Sequence, residues 1–455
     1  MPIFSTTYFH SRYVTLIEVI IVCLIFLSTL IIYKDSRKNS KYIFLYYLLC
    51  FIYLLINYLR KDDFYSLVPG NFNYSVFAEF TTILKLMMPI TFLYSLYYQK
   101  IDYKKYMLVL KVWVILISGS IIITNIFKIS LSSYSNEVIT KNIFEWSINN
   151  YYQETASKAM FMYANQEAVI MLMLLLVFID DFIYKNKKSI FYILLLAISM
   201  LMLGTRVSSV GGFLTLICAY LFYIIYVLYK KEKFKKNSLY IIIIIAFWGC
   251  LLPISPYANR NIELNTIQES DINEIKESFE DEDFITTDDN FYEKYNPSFL
   301  PEVFFEKFYP IKYDYDFWDN FVNTIPLYDM NYRLIEISII ERVKDINNDK
   351  LDILFGISNV RIQNIVNIER DFVLHYYAFG IIGSIILLLV YILVFVYSIY
   401  KFFKYQTYYL FIMATVVVLF LFSAFLTGNI INSINTIIPF VFIVIGVFRG
   451  KGLEK

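Results

Sequence analysis

Eleven stretches of this 455-residue chain are apolar for about 20 residues at a time, and that repetition sets the class of fold. A hydrocarbon layer about 30 Å thick takes that length of α-helix to cross, and helices satisfy their own backbone polar groups there. The stretches run near Tyr13–Tyr33, Tyr42–Leu59, Val76–Tyr98, Tyr106–Phe127, Asn165–Tyr184, Ile190–Thr205, Val207–Tyr229 and Ser238–Tyr257. Three more follow near Phe372–Tyr400, Thr407–Thr427 and Ile431–Phe448. The expectation is an all-α, polytopic integral membrane bundle of about 11 transmembrane helices. With 58% of residues hydrophobic and 17% charged, a soluble fold could not bury the apolar surface.

Basic residues fall in alternate loops. Lys34–Lys41 holds four, Lys100–Lys105 three, Lys185–Lys188 three, Lys230–Lys236 five, Lys401 and Lys404 two, and the C-terminal tail three. The positive-inside rule puts these loops and the C-terminus in the cytoplasm and the N-terminus outside. Residues 257–371 then form a large external loop between an N-terminal membrane bundle (1–256) and a C-terminal one (372–455). This loop carries 25 Asp or Glu against 11 Lys or Arg and is far longer than a connection requires. Its acidic part, Glu269–Glu293, has few large apolar residues and reads as a mobile arm. A second external segment spans about Lys128–Ala164.

Several functions are excluded. No basic run alternates with stacking aromatics in a polar context, so nucleic acid is not an expected partner; the net charge of +1 says nothing on this. Cys23, Cys50, Cys218 and Cys250 lie inside apolar runs without metal-ligand spacing and read as small buried hydrophobes. No cleavable leader is evident. No phosphate-binding loop, dinucleotide fingerprint or zinc motif occurs, and metal-independent, cofactor-free chemistry is expected.

Polar residues at the outer ends of spans are the chemical candidates. Arg206 sits in Gly204-Thr-Arg-Val-Ser-Ser-Val-Gly-Gly212, a turn of small residues with hydroxyls from Thr205, Ser208 and Ser209. A guanidinium there suits bidentate capture of a phosphate, against the bland reading of an Arg that snorkels to headgroups. Arg333 falls on an amphipathic helical pattern in the long loop, with Glu336 as its i+3 partner. At the loop exit, Asp371 and His375 are four apart and share a helix face, and Glu369 precedes them. Any of the three could serve as a base. Glu18, Glu79, Lys85, Lys111 and Glu167 lie within spans and are costly unless paired or hydrated. Asp180 and Asp181 read as interface anchors, and Gly380 and Gly383 as positions of close helix approach.

Four pieces in this order resemble the Wzy-type O-antigen and capsular polysaccharide polymerases of the wider O-antigen ligase-like membrane superfamily. They are Met162-Tyr-Ala-Asn165-Gln-Glu, Gly204-Thr-Arg206, the long loop with Arg333 followed by Leu354-Phe-Gly356-Ile, and Glu369-Arg-Asp371 leading into Gly380-Ile-Ile-Gly383. Thr427-Gly428-Asn429 also looks like a family position, though relatives often show His after that Gly. In the ligase branch a His is expected eleven residues before the first Gly of the Gly-x-x-Gly pair. Here that place holds Glu369, which favours polymerase over ligase and Glu369 as the base.

The resemblance implies a membrane glycosyltransferase that joins polyprenyl-diphosphate-linked oligosaccharide repeats into O-antigen or capsule. Donor and acceptor would both be lipid-linked, and a chain-length regulator and a flippase fit as partners. Arg206 and Arg333 would hold the diphosphate, with Asn165 and Asn429 beside the substrate. The alternatives are a ligase-type glycan transferase and a flippase of lipid-linked oligosaccharide. Broken inverted-repeat helices would favour the flippase, and none is visible in the sequence. A sensor would need a cytoplasmic output domain, and the cytoplasmic loops are too short for one.

Overall fold

The computed structural model describes residues 11–99, 101–148, 150–263, 303–324, 332–366 and 368–449. Glu269–Glu293, expected to be an arm, lies outside the described residues. Every apolar stretch is helical. The helices are α1 (Ser11–Ile32), α2 (Lys34–Leu59), α3 (Val76–Gln99), α4 (Tyr103–Ile126), α5 (Ala164–Tyr184), α6 (Ile190–Leu203), α7 (Gly212–Lys230) and α8 (Leu239–Leu251). Between α8 and the last three helices lie α9 (Tyr315–Thr324), α10 (Tyr332–Asn347) and α11 (Asn359–Ile365). The chain closes with α12 (Asp371–Tyr405), α13 (Tyr408–Leu426) and α14 (Ile434–Arg449). No β-strand occurs among the described residues.

Seven helical segments are long and apolar enough to cross a membrane: those of α2, α3, α4, α7, α8, α12 and α13. The other four expected spans are helices too, each differing for a local reason. α6 has 14 residues and α14 has 16, while α5 is 21 residues long but carries Glu167, Asp180 and Asp181. In α1 the apolar part is Ile17–Ile32. The chain is a polytopic helical membrane protein, and the segment before α12 is partly helical, as expected.

The described chain divides into two compact units. The first takes Met1–Ile43, Met87–Ile262 and Leu389–Lys455, and the second takes Phe44–Leu86 and Glu263–Leu388.

In the first unit α5 is the centre. Its residues are apolar on every side, so it is buried on every side from Gln166 to Ile183, with α4, α6, α7, α13 and α14 packed around it. Asp180 and Asp181 are buried rather than interfacial. The Asp181 carboxylate accepts from Tyr103 Oη at 2.5 Å and from Ser189 Oγ, which ties the end of α5 to the starts of α4 and α6. An isolated buried carboxylate would be costly; these donors offset that cost.

In the second unit, the end of α2 and the start of α3 grip residues 347–366. Arg60 Nη2 meets Asp349 at 2.5 Å and Asp352 at 2.6 Å, and Nη1 donates to the Gly356 carbonyl at 3.2 Å. Glu79, read from sequence as costly within a span, has a structural use. Its two oxygens accept from Asn359 N and Val360 N, both at 3.1 Å, capping the start of α11. Arg361 lies over the Phe64 ring at 4.3 Å and donates to the Lys61 carbonyl.

α12 is broken at Gly380, whose φ of 63° and ψ of −170° leave the helical region. Gly380, expected from sequence as a position of close approach, is one, and the helix also breaks there. Gly380 faces the backbone of Leu354–Gly356: an added Cβ would sit 2.4 Å from the Leu354 carbonyl carbon, and one at Gly356 would sit 2.3 Å from the Ala378 oxygen. Gly383 does allow close approach, to the Tyr53 ring of α2. The break strips carbonyls before it of their helical donors, and other groups replace them. Ser384 Oγ donates to His375 O at 2.8 Å, Ile357 N to Tyr377 O at 3.0 Å, and Ser358 N to Ala378 O at 3.0 Å. Tyr53 Oη lies 3.2 Å from Phe379 O and 2.6 Å from Phe355 O. Two motifs that look separate in the sequence are thus one backbone junction.

Candidate functional site

The candidate residues fall into two sets, one in each unit. In the second unit α10 carries Arg333 and Glu336, and the non-helical exit 368–370 passes beside it. Arg333 Nη2 pairs with Glu369 Oε2 at 3.3 Å. The i+3 partner expected from sequence, Glu336, feels the Arg333 charge and accepts from the Glu369 backbone N–H at 3.5 Å. Glu336 is buried, and burial pushes its carboxyl up to about 7, with the Glu369 charge adding to the rise and Arg333 opposing it. From sequence Glu336 was only a partner on a solvated face; its burial was not foreseen. Its signal is a carboxylate on the apolar side of α10, one turn before Ile339 and Ile340.

Glu369 is 56% exposed, whereas Asp371 and His375 are each 0% exposed. Both lie in the first turns of α12 on one face, as the spacing predicts, and the His375 ring meets Phe379 edge-on at 5.2 Å. Only Glu369 of the three presents its carboxylate to a molecule arriving from outside the fold.

In the first unit the Asn165 and Asn429 motifs come together. Gln166 Nε2 donates to the Asn429 carbonyl at 3.0 Å, and Asn435 Nδ2 donates to Gln166 Oε1 at 3.4 Å. Asn429 has φ 58°, a left-handed conformation that Asn tolerates better than most residues, and both Asn165 and Asn429 are half-buried.

Arg206 follows the left-handed C-cap of α6 at Gly204 (φ 68°) and leads into a π-helical turn, Val207–Gly211. Its side chain is exposed. The hydroxyls of Thr205 and Ser208, read from sequence as available to a ligand, serve the turn itself. Thr205 N donates to Ser208 Oγ at 3.0 Å, and Ser208 N to Thr205 Oγ1 at 3.1 Å. Ser209 Oγ is buried and makes no hydrogen bond among the described residues.

The last carbonyls of α6 are taken by residues 131–158, the segment between α4 and α5. Ser157 N donates to Met202 O at 2.8 Å, Ser133 Oγ to Leu203 O at 2.7 Å, and Tyr134 Oη to Gly204 O at 2.8 Å. Arg260, just beyond α8, donates to Tyr134 Oη at 3.1 Å and lies over that ring at 4.3 Å.

No group of three or more His, Cys, Asp or Glu able to hold a metal occurs among the described residues. No curated protein and no solved structure matches the chain. The family model for the O-antigen ligase-like membrane proteins matches residues 2–448. With a multi-span helical architecture and a match over nearly its whole length, the chain belongs to the O-antigen ligase-like membrane protein family.

Proposed function

We propose that the protein is a membrane glycosyltransferase that polymerises polyprenyl-diphosphate-linked oligosaccharide repeats into O-antigen or capsule at the outer face of a bacterial plasma membrane. The observation that carries this reading is the pairing of Arg333 with the exposed carboxylate of Glu369. A hydroxyl of one lipid-linked repeat attacks the anomeric carbon of the sugar chain on another. The bond from that carbon to the diphosphate breaks, the hydroxyl proton passes to Glu369, and polyprenyl diphosphate leaves. Departing charge calls for a fixed cation, supplied by Arg333 beside Glu369. When Arg333 turns to the diphosphate, Glu369 loses its ion-pair partner at the stage where a base is needed. Arg206, Asn165 and Asn429, in the first unit, are proposed as substrate contacts.

Family membership supports a lipid-linked glycan as substrate, and Glu369 in the place of the ligase His favours polymerase over ligase. The broken helix α12 does not favour a flippase. Its freed carbonyls are occupied by Ser384, Ile357, Ser358 and Tyr53, so they do not line a path for a solute.

The test supplies purified protein with a synthetic prenyl-diphosphate-linked repeat and reads product length. A ladder of repeats supports the proposal, and Glu369→Gln is expected to abolish the ladder while His375→Ala costs much less. A single transfer to a different acceptor lipid would mark a ligase instead, and the reverse ranking of the two variants would move the base to Asp371 and His375.

A further inference from the structure

We infer that the junction between the end of α6 and residues 131–158 is an anion site in which Lys158 and Arg260 join Arg206 to hold the phosphates of a prenyl diphosphate. The inference deepens the reading above by adding two cations that lie in the same unit as Arg206.

Charge pairing is the first observation. Between α4 and α5, Lys128 meets Glu145 at 2.7 Å and Lys141 meets Glu154 at 2.8 Å. Lys158, Arg206 and Arg260 form no ion pair among the described residues. A protein that neutralises two lysines of a loop and leaves three neighbouring cations unmatched has a place for an external negative charge.

Donor accounting is the second. Lys158 is 6% exposed, and its ammonium donates to the Ser135 carbonyl at 3.3 Å. An ammonium has three donors, and burial holds this one below the ordinary lysine range. The Nε of Arg260 and the Oγ of Ser209 are buried and make no hydrogen bond among the described residues. Buried donors left without acceptors are uncommon enough to need a reason, and phosphate oxygens supply one.

Tyr134 brings the cations together. Its hydroxyl receives the Arg260 guanidinium, its ring underlies that guanidinium, and the Arg206 charge reaches the same hydroxyl. Ser135, the residue after it, holds Lys158. Backbone bonds from Ser157 to Met202 and side-chain bonds from Ser133 and Tyr134 to Leu203 and Gly204 fix the segment on α6. The cations are therefore preorganised, so little ordering is left for the ligand to drive. Three cations fit a diphosphate carrying two or more charges better than the single charge of a phospholipid headgroup.

The test titrates farnesyl diphosphate into the full-length protein in neutral detergent and repeats the titration with phosphatidylglycerol added. Arg260→Gln and Arg206→Gln are each expected to raise Kd at least tenfold, Lys158→Gln at least threefold, and phosphatidylglycerol to compete poorly. Arg260→Lys keeps the charge but loses the planar fork, and is expected to bind more weakly than wild type while remaining monodisperse. Wild-type affinity in well-folded Arg260→Gln or Lys158→Gln overturns the site, as does equal displacement by phosphatidylglycerol. If Arg260→Gln fails to fold, the Lys158→Gln result decides. Polymer formation is read separately. Probe binding that depends on these residues without polymer from the lipid-linked repeat would overturn the polymerase reading and keep the site.

Discussion

The end of α6 and the break in α12 solve the same problem with opposite remainders. Each has a left-handed glycine, Gly204 or Gly380, and each has helix carbonyls taken by groups distant in sequence. Around Gly380 the charges close on themselves: Arg60 meets Asp349 and Asp352, and Glu79 meets two N–H groups. Around Gly204 the cations Lys158, Arg206 and Arg260 have no carboxylate of their own among the described residues. The lesson is that one junction is complete in the protein alone, and the other is complete only with an anion. Substitutions at the first should register as stability, and at the second as binding and turnover.

The largest effect is expected at the closed junction. Gly380→Ala adds a Cβ 2.4 Å from backbone and forces φ 63° on a residue that disfavours it. A loss above about 4 kcal/mol is expected, read as failure to accumulate in the membrane. Normal accumulation would show that the junction is softer than its geometry. Arg60→Ala leaves Asp352 buried without its cation, and about 3 kcal/mol of lost stability is expected in detergent melts. A change below about 1 kcal/mol would break the contrast with the open junction.

At the other junction, Arg206→Lys should leave the melting temperature nearly unchanged and reduce chain extension about tenfold, or about 1.4 kcal/mol in the transition state. A large fall in melting temperature would make Arg206 structural. The smallest effect concerns Glu336, whose carboxyl is raised from 4.5 to about 7 by burial. As pH rises from 4.5 to 7 the unfolded chain gives up this proton first, so stability falls through that window and levels off above it. Glu336→Gln should remove a fall on the order of 1 kcal/mol, measured as the wild-type minus variant melting difference between those pH values. A difference independent of pH would remove the assignment.

Hydropathy alone made the helical class and nearly every helix legible, because a period of apolar length is a local property. Partners were less legible. Arg333 acts on Glu336, three residues on, as expected, but its ion pair with Glu369, 36 residues away, is one that no local pattern encodes. Gly380 carried no sign of its backbone contact with Gly356 for the same reason. Lys158 and Arg260 were passed over because each stands alone in sequence; Tyr134 joins the surroundings of both. Thr205 and Ser208 were misread because a hydroxyl pair three apart serves a turn as readily as a ligand.

The shortness of α6 has a consequence for where chemistry can occur. Fourteen residues rise about 21 Å, so a helix that starts at one headgroup layer stops about 9 Å below the opposite one. If α6 starts at one headgroup layer, Arg206 is expected beneath the opposite surface, at the depth where the prenyl chain of the proposed ligand would begin. On the proposed function, a lipid-borne diphosphate would reach it by sinking between helices, with its tail still among acyl chains, and would not have to be lifted into water to react.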